Sequence, residues 1–574
     1  MKYKIKSMPL KFEKLAYILN ELESTSSNQK MEKIMADFIR ELSPDDIEYV
    51  SYMLIGRISP IYKSIKIGMA EKMILKSISA ATGNNEEKVK KLFSKLGDLG
   101  LVAEQLNKNK KSDLTIKQVF DTLYKIASEE GAGSKEKKKG ILSSLLKNSS
   151  KIESKYIPRI IMGNLRTGAS DKTLLHVLAD LYAHGKKDRK KIEHAYNICP
   201  DIGLISKEIS KKGLESIEKI NIVIGKPIQM MLAQRVKKIT LIEDKMSFPI
   251  ICEEKYDGER VQVHYDGKKI TLFSRRLSDI SNQFPDVSSA LKDVIESDKF
   301  IVEGEIVPIS EDETLLPFQK LMQRKRKENV KEYVKKVPVR IYLFDLLYLD
   351  GKSLLKTSYP KRRKSLRGIL KKSEIVKLAN GKKCRDTDCI EDFFNWCIEN
   401  GSEGIIAKSC KEDSIYTAGA RGYNWIKWKQ EYQEMVDTFD LVVVGAYYGK
   451  GKRKGSYGSL LCCVYNSGED IFETFCKLGS GFTDDILDNF NEKFKKYKID
   501  HKPARLSIKD NIEPDVYFNP EIVIEVLGAQ ITESPSHTTG GGLALRFPRF
   551  KKYRDDKKPE QATTTKEVTE IYSS

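Results

Sequence analysis

Lys255 opens the run Lys255-Tyr256-Asp257-Gly258-Glu259-Arg260. A lysine followed by Asp-Gly two and three places on is the pattern of an amine that captures a nucleoside monophosphate. A primary amine attacks only when deprotonated, so this lysine calls for a partly desolvated pocket with nearby cations that lower its pKa, and Arg260 is a candidate. Gly258 gives the tight backbone that lets a bulky phosphate approach.

Later segments supply what such a lysine needs. Glu253 stands two residues before it, so on an extended strand both side chains leave one face and the carboxylate can accept from a purine amino group. Ser274-Arg275-Arg276 is predicted to close the next hairpin and to offer guanidinium to ribose or phosphate. In Val302-Glu303-Gly304-Glu305-Ile306-Val307 two acids share a strand face among apolar neighbours, a costly arrangement unless they are paired or hold a metal or ligand. Ser402-Glu403-Gly404 adds another acid. Glu305 and Glu403 together suit Mg2+, which favours one or two carboxylates plus phosphate oxygens. Phe344 begins a patch able to stack on a base. Trp425-Ile426-Lys427-Trp428-Lys429 puts Lys427 and Lys429 on one strand face, where two ammoniums suit a phosphate better than a core.

The elements that must position these residues change texture along the chain. At 574 residues it is too long for one core, and domains of about 100–200 residues suggest three or four units. The first 225 residues read as helical: Phe12, Leu15, Ile18, Leu19 and Leu22 fall at three- and four-residue steps, and similar spacing predicts helix through 165–181. Basic, glycine-containing stretches at 131–139 and 159–166 are expected to lie between helices and track phosphates. Residues 226–432 read as an α+β unit on antiparallel sheet, with strands at 261–264, 270–273, 301–307 and 339–344. Beyond a polar connector near 431–437, residues 433–574 show short strands and glycine turns, including a basic loop at 449–458, and suit an all-β barrel of the oligonucleotide-binding (OB) type.

Bulk properties agree with a nucleic-acid partner. Lys+Arg number 101 against 81 Asp+Glu, and a net charge of +20 favours a polyanion. Nine scattered cysteines without a C-x-x-C pair give no zinc or redox motif and fit reduced thiols. No run reaches the length of a membrane span, and the first fifteen residues lack a signal-peptide core.

The ordered set KYDGER, SRR, EGE, FDLLYL, SEGIIAK and WIKWK resembles the nucleotidyltransferase motif series of ATP-dependent DNA ligases. The segment 317–327, the ending Leu545-Arg546-Phe547-Pro548-Arg549-Phe550, and the helical region near Leu165-Arg166-Thr167-Gly168-Ala169 resemble the archaeal and eukaryotic replicative type, so the resemblance spans nearly the whole chain. It implies a DNA-binding helical domain, an adenylation domain and an OB-fold domain. It also implies ATP and Mg2+ as cofactors, with Lys255 as the adenylated nucleophile. Glu253, Arg260, Arg275, Glu305, Phe344, Arg421 and Lys427 match nucleotide-contacting positions, and Lys429 and Lys408 assist at phosphate. Arg546, Arg549 and Lys551 match the motif that orients the leaving pyrophosphate. The implied partner is nicked duplex DNA in replication, repair and recombination. The resemblance further implies a monomer in the cytoplasm beside the nucleoid, or in the nucleus of a eukaryote, with docking on a sliding clamp although no clamp-binding peptide is legible. RNA ligases and capping enzymes share the K-x-D-G core; the long helical region and the Arg-Phe-Pro-Arg ending set this chain apart from them.

Overall fold

A computed structural model describes residues 9–573 apart from 64, 66, 237–238, 326–329, 430–437 and 450–455. The connector at 431–437, most of the basic loop at 449–458, and Arg326 and Lys327 lie outside the described residues. The chain divides into two compact units, residues 1–86 with 103–433 and residues 87–102 with 434–574.

The amino-terminal region is helical from Phe12–Glu23 to Leu214–Glu218. Helix Phe12–Glu23 buries Phe12, Leu15, Leu19 and Leu22 of the predicted stripe together with Ala16, while Ile18 is only half-buried. Two expectations need correction. Residues 165–170 are not helical: Arg166 has a φ of 62°, and the helix Asp171–Tyr182 starts only after Ser170, whose hydroxyl caps Thr173 N–H. The lysines of 131–139 are not in a loop either, because Gly133 caps the helix Ser134–Asn148. Arg159 is 3% exposed and pairs with Glu23 at 2.8 Å, so it is structural and does not face a phosphate backbone. Lys155 joins the same carboxylate, and the two cations overcome burial to hold Glu23 down at about 2.

The middle region contains two mainly antiparallel sheets. Strands β1 (Leu232–Arg235), β2 (Ile250–Lys255), β9 (Gly381–Cys384), β10 (Gly404–Ser409) and β11 (Arg421–Lys429) form one, in the order β1-β11-β10-β2-β9. The other runs β4-β3-β5-β6-β7, from β3 (Glu259–Tyr265), β4 (Ile270–Ser274), β5 (Phe300–Pro308), β6 (Val339–Leu349) and β7 (Lys352–Ser353), with β8 (Val376–Leu378) also beside β6. Alternation along β2, β10 and β11 sends Cys252, Ile405, Ala407, Ile426 and Trp428 into a core with helix Thr387–Glu399. The opposite face is left for polar side chains. Cys384 and Cys389 form a disulfide, contrary to the expectation of reduced thiols; the end of β9 and the first turn of that helix bring their Cα atoms to 5.4 Å.

Ile198 of the helical region packs with Ile228, Met231 and Trp425, so the helix Arg189–Ile198 backs one wall of the middle region. In the second unit, strands Thr438–Tyr448, Tyr457–Asn466 and Ile471–Leu478 pair antiparallel in succession, and Val516–Leu527 pairs with the first of them. Their inward residues, Phe475 and Ile524 among them, form an aliphatic and aromatic core with Phe490 and Phe494 of the short helix Phe490–Lys495.

Candidate active site

Strand register assembles the site. Lys255 and Lys429 both pair with Gly404, one on each side of β10, and Glu253 and Lys427 flank Ile406 in the next row of the same face. Four charged side chains, two from each of two strands far apart in sequence, therefore occupy two adjacent rows. Gly404 allows this packing: its φ is 142°, and a Cβ there would meet the Trp428 carbonyl oxygen at 2.3 Å. Gly258, after the lysine strand, lies equally close to the Ile306 carbonyl oxygen of β5, again 2.3 Å from where a Cβ would sit.

A cavity of about 320 Å3 opens between the two sheets. The first sheet lines it with Glu253, Lys255, Lys408, Arg421, Lys427 and Lys429, and Glu403 stands just before β10. The second contributes Arg260, Glu305 and Phe344, and Arg275 follows β4. Ser274-Arg275-Arg276 forms a tight turn as expected: it follows β4, the Ser274 N–H donates to the Ser278 carbonyl, and Phe273 and Asp279 are bridged antiparallel across it.

Lys255 reverses one expectation. Burial pushes its ammonium down, yet the carboxylates of Glu403, Glu305 and Asp257 more than offset this and hold its pKa above the ordinary lysine value. Glu403 pairs with Lys255 and, at 2.7 Å, with Lys429; against the effect of burial, these two cations hold its own pKa low. Glu305 behaves differently. Burial raises its carboxyl to about 7 despite the attraction of Lys255 and Arg260. Lys427 is depressed to about 8 by burial and by the convergence of Lys255, Lys429, Arg275 and Arg421. The cavity thus joins a strained acid to crowded cations, and a polyphosphate with a hard divalent cation would relieve both.

Arg260 is fixed by Glu303 at 2.8 Å and by the Met231 carbonyl at 2.8 Å, and its guanidinium lies 5.3 Å from the Phe344 ring centroid. Glu303 also accepts from Gln262 and Tyr416. Of the two acids on that strand, one is internally paired and the other faces the cavity. Asp257 accepts from the Phe318 N–H at 3.1 Å and brings the segment after β5 to the rim. Sequence reasoning missed Tyr359 and Arg363, which clamp Glu253 from the helix Tyr359–Gly368. Their i,i+4 spacing in Tyr359-Pro360-Lys361-Arg362-Arg363 was the only available signal.

Arg546 ends strand Leu543–Arg546 and Arg549 begins strand Arg549–Tyr553. Between them Phe547 has a φ of 53° and is 67% exposed, with the Arg546 guanidinium 5.0 Å from its ring centroid. Lys551 is paired with Glu525 at 2.8 Å.

Two sheets around a half-buried lysine, facing acids and convergent cations make the middle region nucleotidyltransferase-like. Residues 230–429 match the model of the ATP dependent DNA ligase domain, 11–179 that of the DNA ligase N terminus, and 453–557 that of the ATP dependent DNA ligase C terminal region. The chain is 42% identical to DNA ligase 1 of Methanosarcina acetivorans, over 98% of this chain and 99% of that protein. It is also 42% identical to a DNA ligase of Caldivirga maquilingensis, over 98% of each. The chain belongs to the ATP-dependent DNA ligase family. The fold is similar to that of the solved structure Pmar-Lig_PreS3, with a TM-score of 0.57 at 18% identity over 94% of this chain and 99% of that one.

Proposed function

We propose that Lys255 is the nucleophile that takes AMP from ATP and that the enzyme passes this AMP to the 5′-phosphate at a nick in duplex DNA, where the adjacent 3′-hydroxyl completes the seal. The observation that carries the reading is the shared row of Lys255 and Lys429, with Glu403 touching both. Lys255 Nζ forms a bond to the α-phosphorus as the bond to pyrophosphate breaks, leaving a phosphoramidate. Lys427 and Lys429 face the same point and stabilise charge on the phosphate oxygens. Before attack, Lys255 must lose the proton that its carboxylate neighbours favour. Glu305 and Glu403 are the residues that would hold Mg2+, whose charge would neutralise those acids and help to free the amine.

Phe344 and Ile406 offer apolar surface to the base, and Glu253 stands at that end as an acceptor for an amino group. Arg260, Arg275 and Arg421 serve ribose and phosphate. We assign DNA binding to the helical region, an OB-type barrel to the carboxy-terminal strands, and a role with the leaving pyrophosphate to Arg546 and Arg549. The domain limits 1–225, 226–432 and 433–574, a monomeric form and docking on a sliding clamp belong to the same proposal. Among the described residues no helix is long and apolar enough to cross a membrane. The test is sealing of a defined DNA nick with each nucleotide supplied separately. ATP with Mg2+ is expected to support it and an RNA nick to be a poorer substrate; preferential joining of RNA would overturn the DNA assignment.

A further inference from the structure

Lys408 shares a strand face with Gly404 and Ile406 but lies four residues from Gly404, roughly 13 Å along the strand. That places it away from the Lys255 and Lys429 row and corrects the expectation that it assists at phosphate. Its side chain is 1% exposed, burial pushes its pKa well below the ordinary lysine value, and its Nζ reaches Glu253 at 2.5 Å. The ring centroids of Trp425, Tyr359 and Phe344 lie 4.4, 4.5 and 4.7 Å from it. Glu253 also accepts from the Tyr359 hydroxyl and the Arg363 guanidinium, delivered by one turn of the same helix. Arg363 is itself tied to the Ala379 carbonyl at 2.7 Å.

A buried carboxyl group with three converging donors is fixed in place. Glu253 and Lys408 nevertheless both line the nucleotide cavity. A fixed carboxylate accepts from an exocyclic amino group and repels a carbonyl oxygen at the same point, and a site with such fixed polarity discriminates strongly between the two.

We infer that Tyr359, Arg363 and Lys408 are positioning residues that set nucleobase specificity by holding the Glu253 side chain at the base end of the cavity, favouring a 6-aminopurine over a 6-oxopurine nucleotide. The inference rests on the proposed adenylation site. Lys408 acts through Glu253, and its aromatic surround prevents it from swinging toward the phosphates.

The experiment is enzyme adenylation by the full-length protein with ATP or ITP, which differ in the base at the 6-substituent and in the proton that accompanies the 6-oxo group on N1. It compares wild type with Tyr359→Phe, Arg363→Met, Lys408→Met and Glu253→Gln. Wild type is expected to prefer ATP, and each substitution to reduce the ATP-to-ITP ratio of kcat/KM by about tenfold or more, chiefly through KM for ATP. Lys408→Arg should restore part of the ratio. Equal losses with both nucleotides, or an unchanged ratio, would make the cluster merely structural and overturn the inference. If Arg363→Met does not fold, Tyr359→Phe decides, because it removes only a hydroxyl. If wild type takes no label from either nucleotide, the underlying adenylation reading fails instead; if it takes label but Glu253→Gln leaves the ratio unchanged, only the base-end assignment fails.

Discussion

At the scale of single residues, the cavity gives Lys255 and Glu305 opposite electrostatic problems. Lys255 is held charged by its acidic neighbours, whereas burial holds Glu305 at about 7, up from 4.5. Between those values the folded protein binds the Glu305 proton more tightly than the unfolded chain does. This contribution therefore favours folding at low pH and is lost as pH rises from about 4.5 through 7, by on the order of 3 kcal/mol. Urea melts of nucleotide-free wild type and Glu305→Gln at pH 5 and pH 7.5 check this. The variant is expected to gain stability relative to wild type at the higher pH; a pH-independent difference would contradict the assignment. The Lys255 motif and the acids that face it were legible in sequence, but the direction of the lysine's pKa was not. It depends on carboxylates brought in from β5 and from before β10, and no local spacing reveals their distance.

At the scale of elements, the alternating apolar residues at 261–264, 270–273 and 301–307 fall within β3, β4 and β5. The division of the strands between two sheets was not legible, because register is a property of distant partners. Helical spacing overran its true start at 165–170, where the left-handed Arg166 and the Ser170 cap outweigh periodicity. The Tyr359–Arg363 clamp escaped notice because Glu253, the group it serves, lies more than one hundred residues earlier. Gly404 shows what close register requires. Gly404→Ala is expected to destabilise the protein by about 2–4 kcal/mol and to weaken adenylation, since a methyl there collides with strand backbone and no flexible side chain can move aside. A thermal melt and an adenylation assay check it; a variant with wild-type melting and activity would show that β10 and β11 can separate at no cost.

At the scale of the whole molecule, a net charge of +20 and three matched ligase regions describe a protein built for a polyanion. Phosphate contacts make affinity fall steeply with salt, by about a thousandfold or more between 50 and 200 mM when six or more phosphates are engaged. Binding of nicked duplex is expected to show that slope, measured by fluorescence anisotropy across a salt series. A nearly flat dependence would mean that few phosphates are touched and that the charge serves another purpose. The division into helical, mixed and β-rich regions was legible from texture alone, because helix and strand periods differ over any long segment.

The central claim is that one amine carries AMP, and it is tested most directly by incubating the full-length protein with α-labelled ATP and Mg2+. Wild type is expected to acquire a covalent label that survives alkali, is lost in acid and maps to Lys255, while Lys255→Ala acquires none. Covalent label on the folded variant, or its mapping to another residue in wild type, would contradict the account.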